Sequence, residues 1–209
     1  IAILSKAGFF QFMAMQVLEK LNYNPLKVLI AFPAIVAFLS AFLDSITVVL
    51  FFSILTIHVF RILDKNPVVP VIAEVCAANV GGASTLVGNP PNVILGTTLG
   101  FDFVDFVVNI GWISLIATVV VIVFFYLINR KKGFEAAELS EEKKATLKEL
   151  NVIEDIQLLK IGLTALGFII LLLVLHNNIT FLHIDTAVAA LLPAFIALMV
   201  ARKKADDIL

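Results

Sequence analysis

Residues 28–60 form a run of thirty-three residues in which Asp44 is the only residue of fixed formal charge, with His58 near the far end. Length decides what this run can be. As one α-helix it would reach ~50 Å, well beyond the ~30 Å hydrocarbon core of a bilayer. Two complete crossings would need ~40 residues, and only sixteen stand on each side of Asp44, a rod of ~24 Å each. A re-entrant helical hairpin over 27–64 fits this arithmetic, its tip in the polar cluster from Ser40 to Thr47. Non-helical backbone at that depth is tolerated where it packs on protein or lines a cavity. The alternative is one tilted helix kinked at Pro33.

The remaining sequence has the same character. With 61% apolar and 15% charged residues and a mean hydropathy of +1.05, there is too little polar surface to cover a soluble globule. An all-α polytopic membrane protein is expected. The 15 Lys+Arg and 16 Asp+Glu fall in blocks between apolar runs, a pattern foreign to a nucleic-acid binder. Cys76 is the single cysteine, so no intrachain disulfide is possible, and its apolar surroundings predict a small buried residue. The chain opens without an initiator Met or a signal-peptide pattern, and both ends read as cut from something longer.

A second interruption follows the hairpin. Residues 68–79 are apolar and short, Gly81, Gly82, Gly88, Pro90 and Pro91 fall within the next thirteen positions, and residues 93–99 are apolar again. Glycine readily leaves the helical region, and proline deletes a donor and clashes with the preceding turn. The spacing predicts a broken transmembrane helix over 67–100. Its two halves would turn a carbonyl end and an amide end toward each other in mid-membrane, the first suited to a cation and the second to an anion.

Around these two devices lie an interfacial arm helix over 1–26, a transmembrane helix over 105–129, a charged helical linker over 130–157, and two further transmembrane helices over 158–176 and 185–201. The positive-inside rule orients them. With the hairpin bases cytoplasmic, Lys20, Lys27, Arg61, Lys65, Arg130 and the linker lie inside. The outer loops then hold Asp102, Asp105, His176, His183 and Asp185 with no Lys or Arg. Lys6 is not assigned a side by this scheme.

The tip stretch from Ala41 to Leu50, then Ile72-Ala73-Glu74-Val75, then the pattern Asn79-x-Gly81-Gly82-x-x-Thr85-x-x-Gly88-x-Pro90-Pro91-Asn92 resemble the ion transporter superfamily. The resemblance is to its citrate-transporter-like, arsenite-permease-like and P-protein-like branch, with divalent anion:sodium symporters as relatives. It implies a secondary transporter of two inverted repeats, each holding a re-entrant hairpin and a broken helix, working as a homodimer in the plasma or inner membrane by an elevator-type motion. This chain would hold one repeat unit and the first helices of a second, with the other half of the transporter missing. Carried over by position, Asp44, Ser45 and Thr47 match the hairpin tip, and Asn79, Gly81, Gly82, Ser84 and Thr85 match the broken-helix loop. The resemblance also implies a possible Na⁺ at Ser45, Thr47, Asn79 and Gly82. An acidic residue is frequent in the family where this chain has Asn89.

Read from the residues themselves, Asp44 and Glu74 are the acidic side chains deep in apolar sequence, and intramembrane acids mark function by default. Asp44 can equally cap the second hairpin helix, and Glu74 can hydrogen-bond the neighbouring hairpin. Ser84, Thr85, Asn79 and Asn92 offer neutral oxygens to Na⁺ or N–H and O–H groups to an oxyanion. Protease motifs are missing and no enzyme is expected. The function expected is secondary transport of a small anion, such as a carboxylate like citrate or an arsenite-like oxyanion, coupled to Na⁺ or H⁺. Alternatives are a Na⁺/H⁺ antiporter of the same fold and an ion channel.

Overall fold

The computed structural model describes residues 2–130, 143, 146, 147, 153–175 and 186–201. Among them every regular element is helical. In chain order these are α1 (Ala2–Lys6), α2 (Phe9–Lys20), α3 (Pro25–Ser40), α4 (Ser45–Ile62), α5 (Val68–Gly82), α6 (Pro90–Leu99), α7 (Phe103–Asn129), α8 (Ile156–Leu175) and α9 (Thr186–Ala201). Three of them, α4, α7 and α8, are long and apolar enough to cross a membrane.

Local chemistry sets the helix ends. The Asn24 side chain accepts from the Leu26 and Lys27 amides, and Pro25 follows at the first helical position, where its missing N–H costs nothing. Pro33 lies inside α3 without ending it. The chain turns at 41–44, and the Asp44 carboxylate starts α4 by accepting from the Thr47 amide and hydroxyl at 2.9 and 2.8 Å. Residues 27–64 are therefore two helices and a tight turn, not one helix kinked at Pro33.

The N-terminal segment departs from a single arm helix. Gly8, at φ 77°, separates α1 from α2, a left-handed conformation that glycine adopts without a Cβ penalty. The two pieces then pack in different places. Phe10, Ala14, Met15 and Leu18 of α2 enter the main core with Phe32 of α3 and Phe52, Val59 and Phe60 of α4. The Phe10 ring stacks on Phe51 at 5.0 Å, and Phe32 meets Phe52 edge-on at 5.9 Å. Ile3 and Ala7, by contrast, sit in a cluster with Leu158 of α8 and Ala197 and Ala201 of α9.

The interrupted helix has its break at 83–89, because α5 continues through Gly82 and α6 starts at Pro90. The following span begins at Phe103, where Asp102 and Asp105 form a reciprocal capping box. It contains a π-helical turn over Val107–Gly111, which the sequence reading does not anticipate. Cys76 is half-buried, not buried.

Most of the linker and the 176–185 connection lie outside the described residues. Within the linker, Leu147 is fully buried in the main core and Lys143 pairs with Asp64 at the hairpin base. That part of the linker is docked on the hairpin, not merely solvated, and it shares the hairpin base's side of the molecule.

Candidate hairpin-tip and broken-helix site

The hairpin turn and the break between α5 and α6 are stitched together by three hydrogen bonds. The Ser45 amide donates to the Gly88 carbonyl at 3.3 Å, the Ser45 hydroxyl to the Asn89 side-chain oxygen, and the Thr85 hydroxyl to the Ala41 carbonyl. Ser45 and Thr85 are both buried. These are segments forty-four residues apart in sequence.

Glycine makes the approach possible. A Cβ on Gly81 would stand 2.1 Å from the Ala37 carbonyl oxygen of α3, and one on Gly88 would stand 2.3 Å from the Gly82 oxygen and 2.6 Å from that of Ser40. Backbone meets backbone at both points, in the manner of small-residue contacts between membrane helices. Gly82 in turn packs against the Asn89 side chain.

Within the break, Asn92 of α6 reaches back with its amide to the Gly82 and Thr85 carbonyls at 3.1 and 2.8 Å. The Ser84 hydroxyl closes on the Gly81 carbonyl at 2.6 Å. The Asn79, Gly81 and Gly82 carbonyls at the end of α5 are thus satisfied from within the protein. The amide end of α6 is poorer in donors than a helix start usually is. Pro90 and Pro91 have no N–H, and the Asn92 amide turns back onto the Asn89 carbonyl at 3.0 Å. Asn89 itself is extended and does not cap α6, because its oxygen faces Ser45. Its side-chain N–H groups make no hydrogen bond among the described residues and join the backbone N–H groups of residues 85–89 as unengaged donors at the seam.

The tip and loop residues Ser45, Gly81, Gly82, Ser84, Thr85, Asn89 and Asn92 therefore share one neighbourhood, with Asp44 and Thr47 at its α4 edge. Asn79 does not join it: its amide bonds to the Val75 carbonyl of its own helix and the residue is exposed. The four-residue Na⁺ set is divided accordingly. Ser45 and Thr47 are engaged with Asn89 and Asp44, the Gly82 oxygen with Asn92, and Asn79 faces away.

The citrate transporter family pattern matches residues 1–209, the whole chain. The chain belongs to the citrate transporter family. A 46 kDa membrane protein of Mycobacterium leprae is 32% identical over 100% of this chain and 48% of its own length. An uncharacterized transporter of Mycobacterium tuberculosis is 35% identical over 58% of the chain and 28% of its own length. Human P protein is 38% identical over 51% of the chain and 13% of its own. The chain thus spans about half the length of the first of these relatives and matches smaller shares of the others. No solved structure matches it. Together with α4, α7 and α8, family membership makes this a helical membrane protein of a transporter family.

Two features of this citrate transporter family chain escape a sequence reading. A cavity of about 520 Å³ opens beside the tip, where Ala37 and Gly81 face Gly111 and Ser114 of α7; the spacing of Gly111 and Ser114 in a bulky apolar helix is its only sequence signal. The other is only the identity of a partner: the hydrogen bond to the neighbouring hairpin that the sequence allows Glu74 of α5 is made by Thr56 of α4, whose hydroxyl donates to it. Glu74 is completely buried and its second oxygen has no partner among the described residues, so the carboxyl lies inside the α4–α5 contact and not at the tip. His58 is exposed near the base of α4.

Proposed function

We propose that this chain is the first half of a secondary active transporter that carries a small anion, such as a carboxylate like citrate or an arsenite-like oxyanion, coupled to Na⁺ or H⁺. The observation that carries the reading is the seam itself: a helical hairpin turn hydrogen-bonded to the break in a second helix, inside an otherwise apolar bundle. Irregular backbone in such a bundle is tolerated where it lines a substrate or ion path. The Asn89 amide supplies donors for an oxyanion. The carboxylate of Asp44, with one oxygen on Thr47, supplies an acceptor for the coupling cation.

In this proposal the hairpin is re-entrant, its bases and the linker face the cytoplasm, and the protein sits in the plasma or inner membrane. The tip and break of a second, inverted repeat complete the site, and a homodimer moves it by an elevator-type displacement. The part of the mycobacterial relative's length beyond this match is long enough to hold that second repeat.

Citrate uptake into liposomes by the full-length protein tests the reading. An inward Na⁺ or H⁺ gradient is expected to drive accumulation, and residues 1–209 alone are expected to give none. Downhill flux indifferent to both gradients would indicate a channel. Na⁺/H⁺ exchange without any anion would replace the proposal with an antiporter.

A further inference from the structure

A second cavity, of about 590 Å³, lies between α2 and α4 and includes none of the seam residues in its lining. Its floor is Phe10, Phe51 and Leu55, with Ile54 and Ile57 along the wall and His58 and Arg61 at one end. From Phe51 to Arg61 it follows α4 for ten residues, roughly 15 Å. Ile54 is 68% exposed, on a helix long and apolar enough to cross a membrane, so the wall belongs to a surface that a bilayer would cover.

The polarity of this groove is graded. Phe10, Phe51, Ile54, Leu55 and Ile57 give it an aromatic and aliphatic lining, interrupted by Gln11, whose buried side-chain oxygen has no partner among the described residues, while its base carries the Arg61 guanidinium. Among the described residues Arg61 has no acidic partner, and the nearby carboxylate of Asp64 is taken by Lys143. The His58 imidazole, one turn earlier on α4, is likewise exposed and unpartnered there. A fork of guanidinium donors recognises a phosphate diester, and an apolar channel running inward from it matches an acyl chain attached to that phosphate.

We propose that this groove binds an anionic glycerophospholipid, its headgroup phosphate on Arg61 and His58 and one acyl chain along Phe51, Ile54 and Ile57. A zwitterionic lipid would set its own cation against Arg61, so the groove discriminates by headgroup charge. This inference is independent of which solute the seam carries.

The test uses the full-length protein in nanodiscs of mixed phosphatidylglycerol and phosphatidylcholine, with retained lipid read by native mass spectrometry. Phosphatidylglycerol is expected to be retained preferentially. Arg61→Gln should weaken that retention about five- to tenfold, the scale of one basic contact at a membrane surface, while Arg61→Lys keeps part of it. Ile54→Trp, which fills the channel, should remove retention with Arg61 intact. Arg130→Gln, at the end of α7, should change nothing. Undiminished phosphatidylglycerol retention in both Arg61→Gln and Ile54→Trp would overturn the proposal. Competition by soluble glycerol 3-phosphate as strong as by the lipid would also overturn it, since the acyl channel would then contribute nothing.

Discussion

The Ser45 hydroxyl donates to the Asn89 side-chain oxygen, joining the first turn of α4 to the residue just ahead of α6. This contact takes Asn89 away from capping its own helix and leaves its amide N–H groups among the unengaged donors at the seam.

Asn89→Asp keeps an oxygen for Ser45 and the shape that packs on Gly82, so its effect on ligand binding is chiefly one of charge. In the full-length protein it is expected to weaken binding of an anionic substrate by about 1 to 3 kcal/mol, one to two decades in affinity, and to weaken the coupling cation less. Isothermal titration or uptake competition with citrate checks this. Unchanged anion affinity together with altered cation exchange would favour the antiporter.

Gly81→Ala forces a methyl group to within 2.1 Å of the Ala37 carbonyl oxygen, and backbone cannot move aside as a flexible side chain can. The helices must separate, at a cost of about 1 to 3 kcal/mol, and the Thr85–Ala41 bond should loosen with them. Gly167→Ala is the control, with nothing within 4 Å of the new methyl. Thermal unfolding in detergent should show a lower Tm for the first variant only.

Thr56→Val deletes the hydroxyl that donates to Glu74 and leaves a completely buried carboxyl with no donor among the described residues. A loss of about 1 to 3 kcal/mol is expected. Glu74→Gln retains an oxygen for Thr56 and should cost less. A double-mutant cycle read by thermal unfolding would show whether the two side chains couple across the α4–α5 contact.

Leu147→Ala opens a gap in the main core and should destabilise by about 2 to 5 kcal/mol. Asp64→Asn removes only an exposed ion pair with Lys143, worth about 1 kcal/mol or less. If the two variants shift the Tm equally, the linker does not hold the hairpin base through Leu147.

Features legible in the sequence are those with a local cause. The turn near Asp44 follows from run length and from the ability of Asp to cap, and the helix break ahead of Pro90 follows from two prolines and from glycines that readily leave the helical region. Even there the boundary moved: α5 keeps Gly81 and Gly82 helical because close packing on α3, not a turn, is what demands glycine at 81. The π turn in α7 and the two-part arm show the same limit, since neither has a charge or length signature.

Which faces meet was decided by tertiary structure alone. A helix in water reveals its buried side by the polar residues opposite it. In α3, α4 and α5 apolar residues stand on both sides, so Phe38 and Ile54 are as apolar as Phe32 and Phe52 yet exposed while the latter are buried. Periodicity therefore could not direct Asn79 outward, send Leu147 into the core or bring Ser45 to Asn89. Those placements depend on the Ala37–Gly81 and Gly88–Ser40 approaches, where absent side chains, not present ones, set how closely two backbones can lie.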